Sequence, residues 1–282
     1  MSYHQLIDAA VRHLEELKSH GSRFVAINPE TLRALSAPIT TAVSRMSNVE
    51  SRTPVMASVE TIVPATPPPS TFPSPLSAKA LALAEIRERA MQCLKCPQLA
   101  STRQHVVFGV GSADAELMFV GEAPGADEDL QGEPFVGAAG QLLTRMIQAM
   151  GLGREQVYIA NILKCRPNMP AGSSGNRKPT PDEMQTCIPY LHAQIDLIQP
   201  KVLVALGGTA VEGLLQKTGI TKLRGQWETY RGIPLMPTYH PAYLLHNQAP
   251  GEKRKVWEDL LAVMEKLGLP ITEKQRGYFL KA

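Results

Sequence analysis

The stretch Gly121–Gly140, GEAPGADEDLQGEPFVGAAG, decides how this chain is read. It follows an apolar run, Glu116–Val120 (ELMFV), with the composition of a buried strand, and it precedes Gln141–Met150, which reads as a helix. A strand and a helix are normally joined by a few residues, and a longer connection inside a compact domain is functional or disordered. Its glycines let the backbone approach a ligand closely, Pro124 and Pro134 stiffen its path, and Phe135 is its lone aromatic. An ordinary surface loop has the same composition, so the rest of the chain has to separate the two readings.

Outward from this loop, apolar strands and amphipathic helices alternate. Strands are expected at Glu116–Val120, Val157–Ile162, Lys201–Leu206 and Leu235–Tyr239, and helices at Ser77–Gln92, Ala138–Met150, Pro181–Ile198, Thr209–Thr218 and Glu252–Leu267. Continuous apolar strands between amphipathic helices imply a parallel sheet covered on both faces. The expected fold is therefore α/β: three layers, α/β/α, around a central, mainly parallel four-stranded sheet. Thr180 before Pro181-Asp182-Glu183 is a strong helix start, with a capping hydroxyl, proline at the first position and acids in the first turn.

The residues that end the strands point to function. The first strand ends at Gly121-Glu122, the second at Asn161, the third at Gly207-Gly208-Thr209 and the fourth at His240-Pro241. Ligands of open parallel sheets bind outside the carboxyl ends of the strands. A carboxylate, a carboxamide, a close-approach glycine pair and an imidazole are thus expected on one rim. Each alone would read as a turn or capping residue; four together read as a site.

The flanking segments are of another kind. Pro54, Pro64, Pro67, Pro68, Pro69, Pro73 and Pro75 are interleaved with Ser and Thr, the composition of an extended linker over residues 52–77. Residues 1–51 are expected to form an N-terminal, partly disordered helical segment, with Leu6, Ala9, Ala10, His13, Leu14 and Leu17 near helical spacing. The compact domain is placed at 78–268 and a tail at 269–282. Hydrophobic content of 44% supports a real core, and the formal net charge of +3 announces no nucleic-acid partner by itself. No run approaches the ~18 apolar residues of a membrane span. The first residues lack the basic-then-apolar order of a signal peptide, so the expected location is cytoplasmic.

Four cysteines complete the pattern: Cys93 and Cys96 in a C-x2-C pair (CLKC), Cys165 just after the second strand, and Cys187 inside the following helix. In a cytoplasmic chain they suit a metal site rather than disulfides. Four thiolates fit Zn²⁺ or an iron–sulfur cluster, and spacing does not separate the two. Buried free cysteines at 165 and 187 are the plainer alternative.

The motifs GEAPG (121–125), PFVG (134–137), NILKCRP (161–167), GNRKPTPDE (175–183), LGGTA (206–210), LRGQW (223–227) and HPAYLL (240–245) occur in this order. With the four cysteines, the chain resembles the family 4 uracil-DNA glycosylases, the iron–sulfur branch of their superfamily, over roughly residues 78–268. The resemblance implies a [4Fe–4S] cluster on Cys93, Cys96, Cys165 and Cys187, with a structural role. It implies that a flipped uracil stacks on Phe135, that Asn161 reads its edge, and that His240 donates to its O2. The loop from Gly121 and Glu122 through Ala123 to Gly125 would line the pocket and place the attacking water. Ala123 stands where some relatives of the superfamily carry an aspartate, which speaks against a strong dedicated base.

Physical chemistry agrees with these roles. An enzyme that works on a base must flip it out of the stack and read its Watson–Crick edge. A carboxamide can accept from uracil N3–H and donate to O4, and cytosine presents the opposite pattern. A donor aimed at O2, where charge develops as the N-glycosidic bond breaks, stabilises the transition state more than the ground state. Glu122 would orient water or fix the loop.

The resemblance implies hydrolysis that leaves an abasic site, without strand cleavage, because no lysine nucleophile appears in the motifs. The loop Thr221–Trp227 (TKLRGQW) has no histidine of the kind that traps DNA covalently in one relative, so turnover is expected. Two departures stand out: the stretch NMPAGSSGNRKP after Arg166 is longer than the family's usual connection, and His246-Asn247 follow HPAYLL where an arginine is expected.

Lys164, Arg166 and Arg224 are the expected phosphate contacts, and Leu244 and Leu245 are candidates to wedge into the gap left by the flipped nucleotide. The expected partner is uracil-containing DNA, bound by a monomer, with residues 1–77 suited to tether a repair or replication protein. A non-catalytic iron–sulfur module that binds DNA and senses redox state is the rival reading.

Overall fold

The computed structural model describes residues 78–169, Ser173 and residues 175–280; the expected segments at 1–51 and 52–77 lie outside the described residues. The apolar runs form the four central strands: β2 (Leu117–Gly121), β3 (Tyr158–Asn161), β4 (Val202–Leu206) and β6 (Ile233–Thr238). Neighbours among them pair parallel, with Phe119 opposite Ile159 and Val204, and Val204 opposite Met236. The sheet has six strands rather than four. Two short antiparallel strands, β1 (Val110–Gly111) and β5 (Glu228–Tyr230), close its edges in the order β1-β3-β2-β4-β6-β5. Neither carries an apolar run, because an edge strand is half solvated.

The pleat divides the core. Met118, Val120, Ala160, Leu203 and Ala205 face one layer, built on α1 (Ala78–Met91), α5 (Pro181–Ile198) and α6 (Gly208–Leu215). Leu117, Phe119, Ile159, Val204 and Leu206 face the other, built on α4 (Ala138–Ala149), α8 (Pro241–His246) and α9 (Pro250–Leu267). Successive side chains of a strand point to opposite faces, so a fully apolar strand requires helices on both. Three short helices, α2 (Pro97–Ala100), α3 (Ala126–Gln131) and α7 (Ile220–Leu223), lie in connections, and α3 occupies part of the long loop after β2.

Thr180 caps α5 as expected: its Oγ accepts from the amide of Glu183 at 3.2 Å, and the Glu183 carboxylate accepts from the amide of Thr180 at 2.8 Å. Such a cap is worth about 1 kcal/mol. Beyond residue 268 the chain remains part of the domain. Ile271 and Tyr278 pack on the α9 side of the core, the indole of Trp257 donates to the carbonyl of Gln275 at 2.6 Å, and Gln275, in α10 (Glu273–Arg276), donates to the carbonyl of Ala149. No helix among the described residues is long and apolar enough to cross a membrane.

Candidate active site at the carboxyl rim of the sheet

The parallel register sets Gly121 directly beside Asn161 at the ends of β2 and β3. A Cβ at Gly121 would stand 2.3 Å from Asn161 Oδ1 and 2.6 Å from the Phe135 ring, so only glycine lets the carboxamide and the aromatic meet there. The loop after β2 carries Phe135 back to that point. Its backbone sits in the left-handed region at φ 56°, and Gly140 in α4 lies so close beneath it that a Cβ would meet the Phe135 carbonyl at 1.9 Å. His240 follows β6 and caps α8, and its ring centroid lies 5.5 Å from that of Phe135. Gly207, at φ 92°, leaves room for the His240 Cβ.

The hydrogen bonding of these groups defines what the rim can hold. Asn161 is 2% exposed, and its Oδ1 is buried without a hydrogen-bond partner among the described residues. An unpaired buried acceptor costs about 1–3 kcal/mol, a cost removed by a ligand N–H. The Nδ1 of His240 accepts from the amide of Ala242 at 3.2 Å. In the neutral ring the proton is therefore on Nε2, which is a donor. Burial holds the imidazole pKa down to about 4, against the opposing pull of Glu128. A neutral imidazole can offer that hydrogen to a developing anion without changing its own charge.

Glu128 organises the loop. Its carboxylate accepts from the amides of Gly125 (3.1 Å), Val136 (2.9 Å) and Gly137 (3.0 Å), tying the loop's start to the turn that bears Phe135. Arg154 adds a hydrogen bond to the carbonyl of Pro134. Sequence reasoning missed Glu128, although its place three residues after Gly125 is the capping-box position of α3. Burial raises the pKa of Glu122, against the opposing influence of the Thr209 hydroxyl at the start of α6. Ala123 packs on the α5 and α6 side of the core. Gly121, Asn161, Phe135 and His240 thus form one contacting group, with Glu122 turned toward Thr209.

Three of the five expected DNA-contacting residues stand elsewhere. Lys164 is 1% exposed, and its ammonium donates to the carbonyl of Asn161 and to Gln194, out of reach of a phosphate. Burial lowers its pKa to about 7. Arg224 is committed to the buried carboxylate of Asp259 and to the carbonyl of Lys255; Asp259 also accepts from Thr238 at 2.6 Å. This triad anchors the 223–227 loop to the end of β6. Leu244 is buried against α4 and α9 rather than free to wedge. Leu245 is half-buried, and the Arg166 guanidinium bonds with the carbonyl of Gly175 at 2.8 Å.

Cys93, Cys96, Cys165 and Cys187 line one small cavity with Lys95, Leu99, Arg103, Leu163 and Thr186. Burial pushes the Cys187 thiol up to about 11 and, with the charges of neighbouring thiols, raises Cys96; burial also raises Cys165. Two N–H groups already address these sulfurs: Arg103 donates to Cys165 Sγ and the amide of Lys164 to Cys187 Sγ, each at 3.2 Å. Among the described residues, no three His, Cys, Asp or Glu side chains converge on a single metal ion.

Fold and site together define the class: an α/β protein with a buried carboxamide, an aromatic ring and an imidazole gathered at the carboxyl rim of a parallel sheet, where such folds bind ligands. The uracil DNA glycosylase superfamily matches residues 108–261. The type-4 uracil-DNA glycosylase of Thermotoga maritima is 45% identical over 178 residues, covering 62% of this chain and 89% of the relative. That of Sulfurisphaera tokodaii is 44% identical over 210 residues (70% and 90%), and that of Archaeoglobus fulgidus 46% over 173 residues (58% and 83%). The chain belongs to the uracil-DNA glycosylase superfamily, in its type-4 family.

Proposed function

We propose that this glycosylase removes uracil from DNA by flipping the nucleotide onto Phe135, reading the base with Asn161 and stabilising the departing uracil anion with His240. The observation that carries the reading is the buried, unpartnered Oδ1 of Asn161, an acceptor set for uracil N3–H. The amide's Nδ2 is then turned to O4. Cytosine, with an acceptor at N3 and a donor at N4, leaves both groups opposed, and mispaired buried polar groups discriminate strongly. The face of Phe135 contributes stacking of ~1–3 kcal/mol. The Nε2–H of His240 meets O2, and its donation strengthens as negative charge develops there.

Glu122 serves the hydrolytic water or the loop's geometry; the nearby Thr209 hydroxyl favours the latter. Nothing in the site favours a binding-only module, since its polar groups are committed to one base edge.

The cysteine cavity fits a [4Fe–4S] cluster. Four thiols line one enclosed space between the segment after α1, the end of β3 and α5, the donor set such a cluster takes. N–H donors to two of the sulfurs suit cluster thiolates. When bound, the cluster ties the segment after α1, the end of β3 and α5 into one unit. We further propose a cytoplasmic monomer whose residues 1–77 tether it to repair or replication proteins.

The test is cleavage of a uracil-containing oligonucleotide by the purified chain, with thymine and cytosine controls and alkali to reveal abasic sites. Breaks at uracil only, after alkali and over many turnovers, are expected. Asn161→Ala and His240→Ala should lower cleavage far more than DNA binding, and equal loss of both would contradict the assigned roles.

A further inference from the structure

Lys164 buries its amine nitrogen among an unusual set of partners. Its ammonium donates to the carbonyl of Asn161 at 2.8 Å and to Oε1 of Gln194 at 2.6 Å, and lies 5.7 Å from the centre of the Phe108 ring. Among the described residues no carboxylate pairs with it. Burying an amine is costly even with the Cys187 sulfur nearby favouring its charged form, and an apolar side chain of similar shape would fill the same space. Filling the core does not by itself call for a lysine at this place.

Geometry supplies one. β1 pairs only with Tyr158 and Ile159, and the pleat puts the carbonyl of Asn161 on the same side as that of Ile159. The sheet has ended there, and the ammonium takes the place of the missing strand. Gln194 fixes the ammonium in turn, because its Nε2 donates to the carbonyl of Phe108 and to the hydroxyl of Tyr158, both at 2.9 Å. The backbone of residue 164 is held as well: its carbonyl accepts from Val107 at 2.7 Å and its amide donates to Cys187 Sγ at 3.2 Å. The peptide that carries the Asn161 carboxamide is thus clamped from the side opposite β2.

We propose that Lys164 is a positioning residue for base recognition: its ammonium holds the Asn161 carbonyl and so aims the carboxamide at the base edge. The inference rests on Asn161 as the group that reads uracil. It assigns a role in recognition to a lysine that touches neither DNA nor base.

The experiment compares the full chain with Lys164→Met, Gln194→Leu and Asn161→Ala. It reads the single-turnover cleavage rate at saturating enzyme, the affinity for an oligonucleotide with an uncleavable abasic analogue, the inhibition constant of free uracil, and visible absorbance as a measure of cluster content. Loss of the buried hydrogen bond that sets the reader should lower the Lys164→Met rate by about 30-fold or more and weaken free-uracil inhibition by about 10-fold. DNA affinity and absorbance should stay within about threefold of the parent chain. Gln194→Leu, which keeps the lysine but removes the acceptor that steadies it, should show the same pattern in weaker form.

A Lys164→Met rate within about threefold of the parent, with unchanged uracil inhibition, overturns the proposal. So does a parallel fall in rate, DNA affinity and absorbance, or failure of both Lys164→Met and Gln194→Leu to fold, since either makes the contact purely structural. Asn161→Ala separates the two levels: if it retains cleavage and uracil inhibition, the reading of Asn161 fails first; if it is crippled while Lys164→Met is not, only the present inference fails.

Discussion

Gly121→Ala tests the site with one methyl group. The added Cβ would stand 2.3 Å from Asn161 Oδ1 and 2.6 and 2.7 Å from two carbons of the Phe135 ring. Relaxed contacts between such atoms begin near ~3.5 Å, so the carboxamide, the ring or both must retreat by about 1 Å. A misplacement of that size costs about 10²-fold in rate, or about 2.7 kcal/mol of transition-state stabilisation. The fold should tolerate the change better than the chemistry does. Gly121 lies outside the left-handed region, so alanine meets no backbone strain, and overpacking of this kind costs about 1–3 kcal/mol. The assay is single-turnover excision of uracil from a short duplex, with a thermal melt and binding to an abasic analogue measured alongside. The expected result is a rate about 10²-fold lower, an altered but cooperative melt, and DNA affinity within a few-fold of the parent. Cleavage within threefold of the parent would refute the argument that Gly121 lets Asn161 and Phe135 meet; equal loss of cleavage and binding would refute the separation of base reading from DNA binding.

Other perturbations reach different parts of the site. His240→Ala should lower the single-turnover rate by about 10²–10³-fold, the usual cost of one preorganised donor; because the ring's pKa lies at about 4, the parent rate should show no histidine limb between about pH 5.5 and 8, and a limb centred near ~6.5 would contradict the neutral-donor role. The same shift makes an acid-stability statement. The unfolded ring takes its proton near ~6.5 and the folded ring only near about 4, so stability is untouched above ~6.5 and falls by up to about 3 kcal/mol as pH drops through that window. Chemical denaturation at pH 7 and 4.5 should show this loss diminished in His240→Gln. Arg224→Ala leaves the Asp259 carboxylate buried without a cation, with only Thr238 bonded to it, and should destabilise the fold by about 3 kcal/mol, while the salt dependence of DNA affinity stays unchanged; a shallower salt slope would restore Arg224 as a phosphate contact.

The chain is legible where local chemistry leaves one solution. Strands that are apolar on every residue need cover on both faces, so β2, β3, β4 and the core of β6 could be read directly, and with them the layered fold. The cap at Thr180 was equally plain, because hydroxyl, proline and acid each act within one turn. β1 and β5 were not legible: strands of two and three residues at a sheet edge carry no periodicity, and pairing alone makes them strands. The helix α3 was hidden inside the long loop for a related reason, since its stability comes from Glu128 bonding to backbone amides at both ends of that loop.

The sequence by itself determined the rim. Asn161 and His240 end strands, Phe135 is the lone aromatic of a glycine-rich loop, and four cysteines recur at positions that the parallel topology can gather. It could not say which cations face DNA. A lysine beside a cysteine and an arginine in a glycine-bearing loop look alike as letters, yet the tertiary structure buries the first under Gln194 and Asn161 and pairs the second with Asp259. Charge is a property of the residue, whereas solvent access and partners arise only when distant segments pack together. The tertiary structure therefore decided which charged groups hold the site in place instead of reaching outward.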